Sequence, residues 1–158
     1  MQYTIGISDM RVSTQSDDIL VTYSLGSCVG LAVYDPVALV GGLIHWMLPL
    51  SKIDRKKADT NPCMFVDTGI PELLTEVYRL GAERKRLIAK VAGAASLLDA
   101  KGLFKIGERN YTVLRKILWK NNILIKSEDI GGTIARSMYL QMATGKTIVK
   151  SGGKESEL

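Results

Sequence analysis

Two apolar, β-rich runs flank the dipeptide Asp35-Pro36, Cys28 to Tyr34 before it and Val40 to Leu48 after it, and no other feature constrains the fold as much. Proline fixes φ and aspartate can bond its own backbone two residues on, so a turn is expected here and the two runs should pair as an antiparallel hairpin. A four-residue loop, Pro36 to Leu39, makes paired positions sum to 75 and sets Gly30 opposite His45. Side chains alternate between faces along a strand. Register therefore decides chemistry: Cys28 falls diagonal to His45 on the same face, about 7–8 Å away between backbone positions. A slip of one residue would send the two side chains to opposite faces.

Cys28 lies within Leu25-Gly26-Ser27-Cys28-Val29-Gly30, and His45 is the chain's only histidine. Free cysteine is mostly protonated at neutral pH, whereas a neighbouring imidazole can draw off the proton and leave the thiolate that attacks carbonyl carbon. Gly26 and Gly30 let a substrate approach the backbone closely, and Gly30 also leaves room for the ring opposite. The amides around Ser27 and Cys28 are candidate oxyanion donors, which makes Gly26 and Ser27 candidate substrate-binding residues. Taken alone, each of the two groups has a plainer reading: a cysteine in an apolar strand is more often a small core residue, and a histidine beside a tryptophan a packed structural group. Cys28, His45 and Cys63 lack the paired ligand spacing of a metal site, and no metal is expected. No GxSxG elbow, P-loop or dinucleotide fingerprint is present.

The remaining pattern suits one domain over residues 1–150. Strands are expected at Tyr3 to Ile7, Arg11 to Thr14, Ile19 to Leu25, Leu87 to Val91, Ile123 to Ser127, Arg136 to Leu140 and Lys146 to Lys150, in addition to the hairpin. A basic loop is expected from Ser51 to Asn61. Apolar positions then recur at helical spacing through Ile70, Leu73, Leu74, Val77 and Leu80, with Asp67 and Thr68 as candidate caps, Pro71 in the first turn and Gly81 past the end. A second helix is expected from about Glu108 to Lys120, on Tyr111, Leu114, Ile117 and Leu118. Residues 151–158 read as a polar, frayed tail. The first residues hold no basic segment followed by an apolar run, and no segment approaches the roughly 18 apolar residues of a membrane span, so a soluble cytoplasmic protein is expected. Two cysteines are too few for a disulfide framework. The net charge of +5, concentrated in Lys52, Arg55, Lys56, Lys57 and in Arg84, Lys85, Arg86, Lys90, favours either a solvated basic surface or an acidic protein partner. Nucleic acid is not expected, because the basic runs carry no interleaved stacking residues.

Several motifs in order resemble the CheD family of chemoreceptor glutamine deamidases. They are Leu25-Gly26-Ser27-Cys28-Val29, Tyr34-Asp35-Pro36, His45-Trp46-Met47-Leu48-Pro49, Phe65-Val66-Asp67-Thr68, Ala89-Lys90-Val91-Ala92-Gly93, Ile106-Gly107-Glu108-Arg109-Asn110, Glu128-Asp129-Ile130-Gly131-Gly132 and Thr144-Gly145-Lys146. The resemblance implies an α+β fold, a three-layer α-β-β sandwich of mixed, largely antiparallel sheets with two main helices. It implies a cofactor-free hydrolase that converts receptor glutamines to glutamates with Cys28 as nucleophile, His45 as base and Thr22 orienting His45. It also implies two protein partners, the chemoreceptor cytoplasmic domain as substrate and the phosphatase CheC. Two positions depart from the family pattern, Ala94 in the small-residue loop and Thr133 after the Gly-Gly pair. Two other classes of function stand beside this one, a protein serving mainly as a regulator of CheC and a thiol hydrolase or transglutaminase-like enzyme acting on another protein's glutamine.

Overall fold

Strands β4 (Val29–Asp35) and β5 (Val40–Trp46) pair antiparallel and are buried along their whole length. The computed structural model, which describes residues 1–96 and 105–158, places Gly30 opposite His45 and Asp35 opposite Val40, so the register sum is 75 as the turn predicts. Strands with no exposed face need a layer on each side. One layer is helical and the other is a second sheet.

The remaining strands are β1 (Gln2–Ile5), β2 (Asp9–Ser13), β3 (Ile19–Leu25), β6 (Ile88–Gly93), β7 (Ile125–Ile130), β8 (Arg136–Gln141), β9 (Thr147–Ser151) and β10 (Lys154–Glu157). The helices are α1 (Arg55–Thr60), α2 (Val66–Arg79) and α3 (Ile106–Lys120). The central sheet has the order β2-β5-β4-β6-β7 and the outer sheet β1-β3-β8-β9-β10. Each sheet contains one parallel pair, β6 with β7 and β1 with β3, and is otherwise antiparallel. The fold is α+β, in three layers.

Alternation along the hairpin divides the interior into two cores. Leu31, Val33, Ile44 and Trp46 face Ile70, Leu73 and Val77 of α2 and Leu114 and Leu118 of α3. Ala32, Tyr34 and Leu43 face Leu20 and Leu25 of β3, Met138 and Leu140 of β8 and Val149 of β9. Gly30 and His45 share the parity of Ala32 and Leu43, so they lie between the two sheets. The small size of Gly30 serves that packing: a Cβ there would meet Met138 Sδ at 3.0 Å and Leu25 at 3.1 Å.

Three expectations are corrected. The stretch expected to be a basic loop contains a 3₁₀ turn at Ser51–Ile53 and helix α1, whose cap Asp54 accepts from the Lys57 amide. Helix α2 starts before Asp67 and Thr68, so neither caps it and Pro71 lies beyond its first turn. The Asp67 carboxylate instead accepts from Ser51 N–H and Oγ–H, and the Thr68 hydroxyl donates to the Pro62 carbonyl. Residues 151–158 do not fray: β10 pairs with β9 across the two-residue turn Gly152-Gly153, both at positive φ (54° and 79°). Two consecutive left-handed residues make a hairpin turn whose twist matches its strands.

Candidate active site

The chain crosses from the outer sheet to the central one between β3 and β4, and the crossing carries the cysteine motif. The β3–β8 ladder slips between Thr22 and Leu25, where Ser24 takes a left-handed φ of 59° and Gly26 N–H donates to the Ser24 carbonyl at 2.9 Å. A bulge re-aims the strand, and here it turns the backbone toward the hairpin. Cys28 follows, half-buried, one residue before β4 begins. Its carbonyl accepts from Ala94 N–H at 2.9 Å, and the Gly26 carbonyl accepts from Ala95 N–H at 2.8 Å. The approach is close enough that a Cβ on Gly93, itself at φ +114°, would lie 2.3 Å from the Cys28 oxygen. Only glycine fits there.

His45 is fully buried in β5, between Asp9 of β2 and Gly30 of β4. Its Nδ1 lies 2.7 Å from the hydroxyl of Thr22, which is also fully buried, on β3. That hydroxyl lies 2.8 Å from the Ile5 carbonyl, which can only accept. A threonine hydroxyl has a single proton, so one assignment satisfies both contacts: Thr22 donates to Ile5 and accepts from Nδ1–H. The ring is thereby fixed as the Nδ1–H tautomer. Its basic nitrogen is Nε2, which is buried and has no hydrogen-bond partner, the Cys28 thiol included.

The electrostatics match this arrangement. Burial lowers the His45 pKa from 6.5 to about 4, so the ring is neutral at pH 7. Burial likewise raises the Cys28 thiol, partly offset by the residue's own main-chain amide, which faces the sulfur. Both groups are uncharged at rest. The resting thiolate expected from the sequence is therefore absent, since both the thiol and the ring are in their neutral forms.

A third residue joins the strands that carry the pair. Asn110 of α3, fully buried, donates from Nδ2 to the Ser27 carbonyl at 2.9 Å and to the Met47 carbonyl at 3.1 Å. Nothing in the motif reading marked it as a site residue. A signal was nonetheless there: the apolar stripe through Leu114 and Leu118, extended back one turn, lands on Asn110, and a polar group on a buried stripe must find partners.

The model of the family described as CheD chemotactic sensory transduction matches residues 47–151. The curated protein named "Probable chemoreceptor glutamine deamidase CheD 1" from Syntrophus aciditrophicus is 54% identical over 149 residues, 94% of this chain and 93% of that one. "Probable chemoreceptor glutamine deamidase CheD" from Solibacter usitatus is 48% identical over 157 residues, covering 99% and 93%. Its namesake from Pyrococcus horikoshii is 44% identical over 144 residues, covering 90% and 87%. The chain belongs to the CheD family.

The CheD family model begins two residues beyond His45, so Thr22, Cys28 and His45 stand on their geometry. The structure joins Thr22 to His45 and sets Cys28 on the same side of the central sheet. Gly26 has both main-chain polar groups occupied, by Ser24 and Ala95, and offers a substrate its small size alone. Ser27 is half-buried with its carbonyl held by Asn110. Cys63 sits apart in a 3₁₀ turn, Pro62–Met64, as a free thiol that burial and the nearby Asp9 and Glu72 push up to about 11. Of the two basic clusters, the second is largely engaged: Arg86 bridges Asp35 and Glu83, Lys85 pairs with Glu83, and Lys90 donates to the Leu158 oxygen. Lys52, Arg55, Lys56 and Lys57 remain exposed. Among the described residues, no helix is long and apolar enough to cross a membrane.

Proposed function

We propose that this protein is a chemoreceptor glutamine deamidase in which Cys28 is the nucleophile, His45 the general acid and base, and Thr22 the residue that orients the ring. The observation that carries this reading is the Thr22–His45 contact, because it leaves Nε2 as an unoccupied acceptor on the side of the sheet where Cys28 lies. The names of relatives that align over nearly the whole chain supply the substrate class.

The sulfur attacks the glutamine carboxamide carbon as its proton passes to Nε2, giving a tetrahedral oxyanion and an imidazolium. The imidazolium returns the proton to the amide nitrogen, the C–N bond breaks, and ammonia leaves a thioester on Cys28. Water then attacks the thioester, again losing a proton to Nε2, and the released sulfur takes that proton back. One glutamine and one water become one glutamate and one ammonia, with no cofactor in the balance. Because both partners are neutral at rest, the first proton transfer accompanies attack on a bound substrate, and idle thiolate is scarce. Thr22 keeps Nδ1 protonated through the cycle, the part a carboxylate or carboxamide takes in other nucleophile–histidine sites.

The test is incubation with a receptor cytoplasmic fragment followed by mass spectrometry. The expected result is a gain of about one dalton per modified glutamine, as NH2 is replaced by OH, and its loss in Cys28→Ala with the thermal midpoint nearly unchanged. Undiminished deamidation by Cys28→Ala would remove the mechanism. The same variant separates catalysis from regulation through a CheC phosphatase: an adaptor would keep its effect on CheC without Cys28.

A further inference from the structure

The β4–β5 ladder stops one pair short of the site. Its last pair is Val29 with Trp46, and register would next set Cys28 opposite Met47. Met47 N–H instead donates to the Met64 carbonyl at 3.1 Å, toward the start of α2. The strand ends that carry the nucleophile and the base therefore part at this point, and Asn110 spans the opening, one Nδ2 proton on each side. Helix α3 can stand close enough to do this because Gly107, one turn earlier, lies against the 94–95 loop, where a Cβ would be 2.7 Å from the Ala94 carbonyl carbon.

A trans peptide unit is planar, with its C=O and N–H directed oppositely. The carbonyl of Ser27 and the amide of Cys28 belong to one such unit, so the bond from Asn110 to the Ser27 oxygen sets the direction of Cys28 N–H. That direction is away from α3 and toward the Cys28 sulfur. When the sulfur adds to a carboxamide carbon, the oxygen on that carbon develops negative charge within reach of an amide so placed. The side chain is held at a disadvantage, since Oδ1 of Asn110 is buried with no partner, whereas the neighbouring stripe positions Leu114 and Leu118 are apolar.

We propose that Asn110 is a positioning residue for the deamidation, fixing the Ser27–Cys28 peptide so that Cys28 N–H meets the oxyanion formed on the substrate glutamine. The proposal rests on Cys28 being the nucleophile. Its test compares Asn110→Ala and Asn110→Leu with the native protein in two reactions of the same sulfur: deamidation of a receptor cytoplasmic fragment, and alkylation by iodoacetamide across pH. Alkylation displaces iodide at a saturated carbon and develops no oxyanion.

The expected result is a kcat for deamidation about 100-fold lower, the scale of losing one oxyanion donor, with KM within about twofold of native and with alkylation, read at a pH high enough to ionise the thiol fully, also within about twofold. A parallel fall of deamidation and alkylation would assign Asn110 to the fold alone and overturn the proposal, as would native kcat in either folded variant. Asn110→Leu keeps the branched shape and extends the apolar stripe, so it carries the measurement if the alanine variant does not fold. In the native protein the Asn110 side-chain amide protons should exchange slowly with solvent by NMR, and rapid exchange would overturn the clamp without any substitution. Failure of the Cys28 reading looks different: native protein without ammonia release, or Cys28→Ala retaining it.

Discussion

The β4–β5 hairpin carries a buried polar cluster at each end, and the two are built on opposite terms. At the turn, the fully buried Asp35 carboxylate accepts from the amides of Val37, Ala38 and Glu83 and from the Arg86 guanidinium, which together hold its pKa well below the usual carboxylate range despite burial. Every acceptor there is spoken for. At the open end, Thr22 satisfies one nitrogen of His45, Asn110 satisfies two carbonyls, and His45 Nε2 and Asn110 Oδ1 are left buried without partners. A complete network fixes a loop and has nothing left to offer a ligand. An incomplete one leaves a nitrogen and an oxygen with bonds still to make.

That contrast breaks first at Asp35. Replacing it with alanine leaves the Arg86 guanidinium, only 25% exposed, with Glu83 as its remaining partner, strands three amides, and should lower unfolding free energy by about 3 kcal/mol in urea titrations. Turnover per folded molecule should stay within about twofold of native; a large loss of turnover would mean that the two ends are coupled.

Thr22→Val sharpens the contrast from the other side. It keeps the β-branched shape but frees Nδ1 and the Ile5 carbonyl, and it should reduce deamidation about 10- to 100-fold in steady-state assays while lowering stability by only about 1–3 kcal/mol.

The smallest effect is a pH dependence. The His45 pKa falls from 6.5 to about 4 on folding, so between these values the unfolded chain binds more protons and stability rises with pH. The contribution is complete above about pH 6.5 and is lost as pH falls toward 4, amounting to about 2 kcal/mol by pH 5. His45 is the only histidine. A flat stability profile between pH 5 and 6.5 would mean that the ring is not buried neutral.

The hairpin, its register and the shared side of Cys28 and His45 were legible because a single turn, Asp35-Pro36, fixes all three and alternation does the rest. The start of α2 was not, since Asp67 and Thr68 look like caps in sequence but bond to Ser51 and Pro62, partners brought in by the chain's return past the site. Composition hides the C-terminal hairpin: Lys154–Glu157 is wholly exposed and polar, yet Gly152-Gly153 is a strong two-residue turn signal that needs no apolar strand after it. Asn110 escaped for a different reason. Its partners are main-chain carbonyls 83 and 63 residues away, and a carbonyl carries no residue identity to be read.

Thr22 and His45 come from different sheets, and their bond exists only where those sheets lie face to face. A folding intermediate with only the central sheet formed would hold a histidine free to change tautomer, because Thr22 arrives with the outer sheet. The proton on the ring is therefore fixed to one nitrogen only when the two sheets dock, and full activity should emerge with that event.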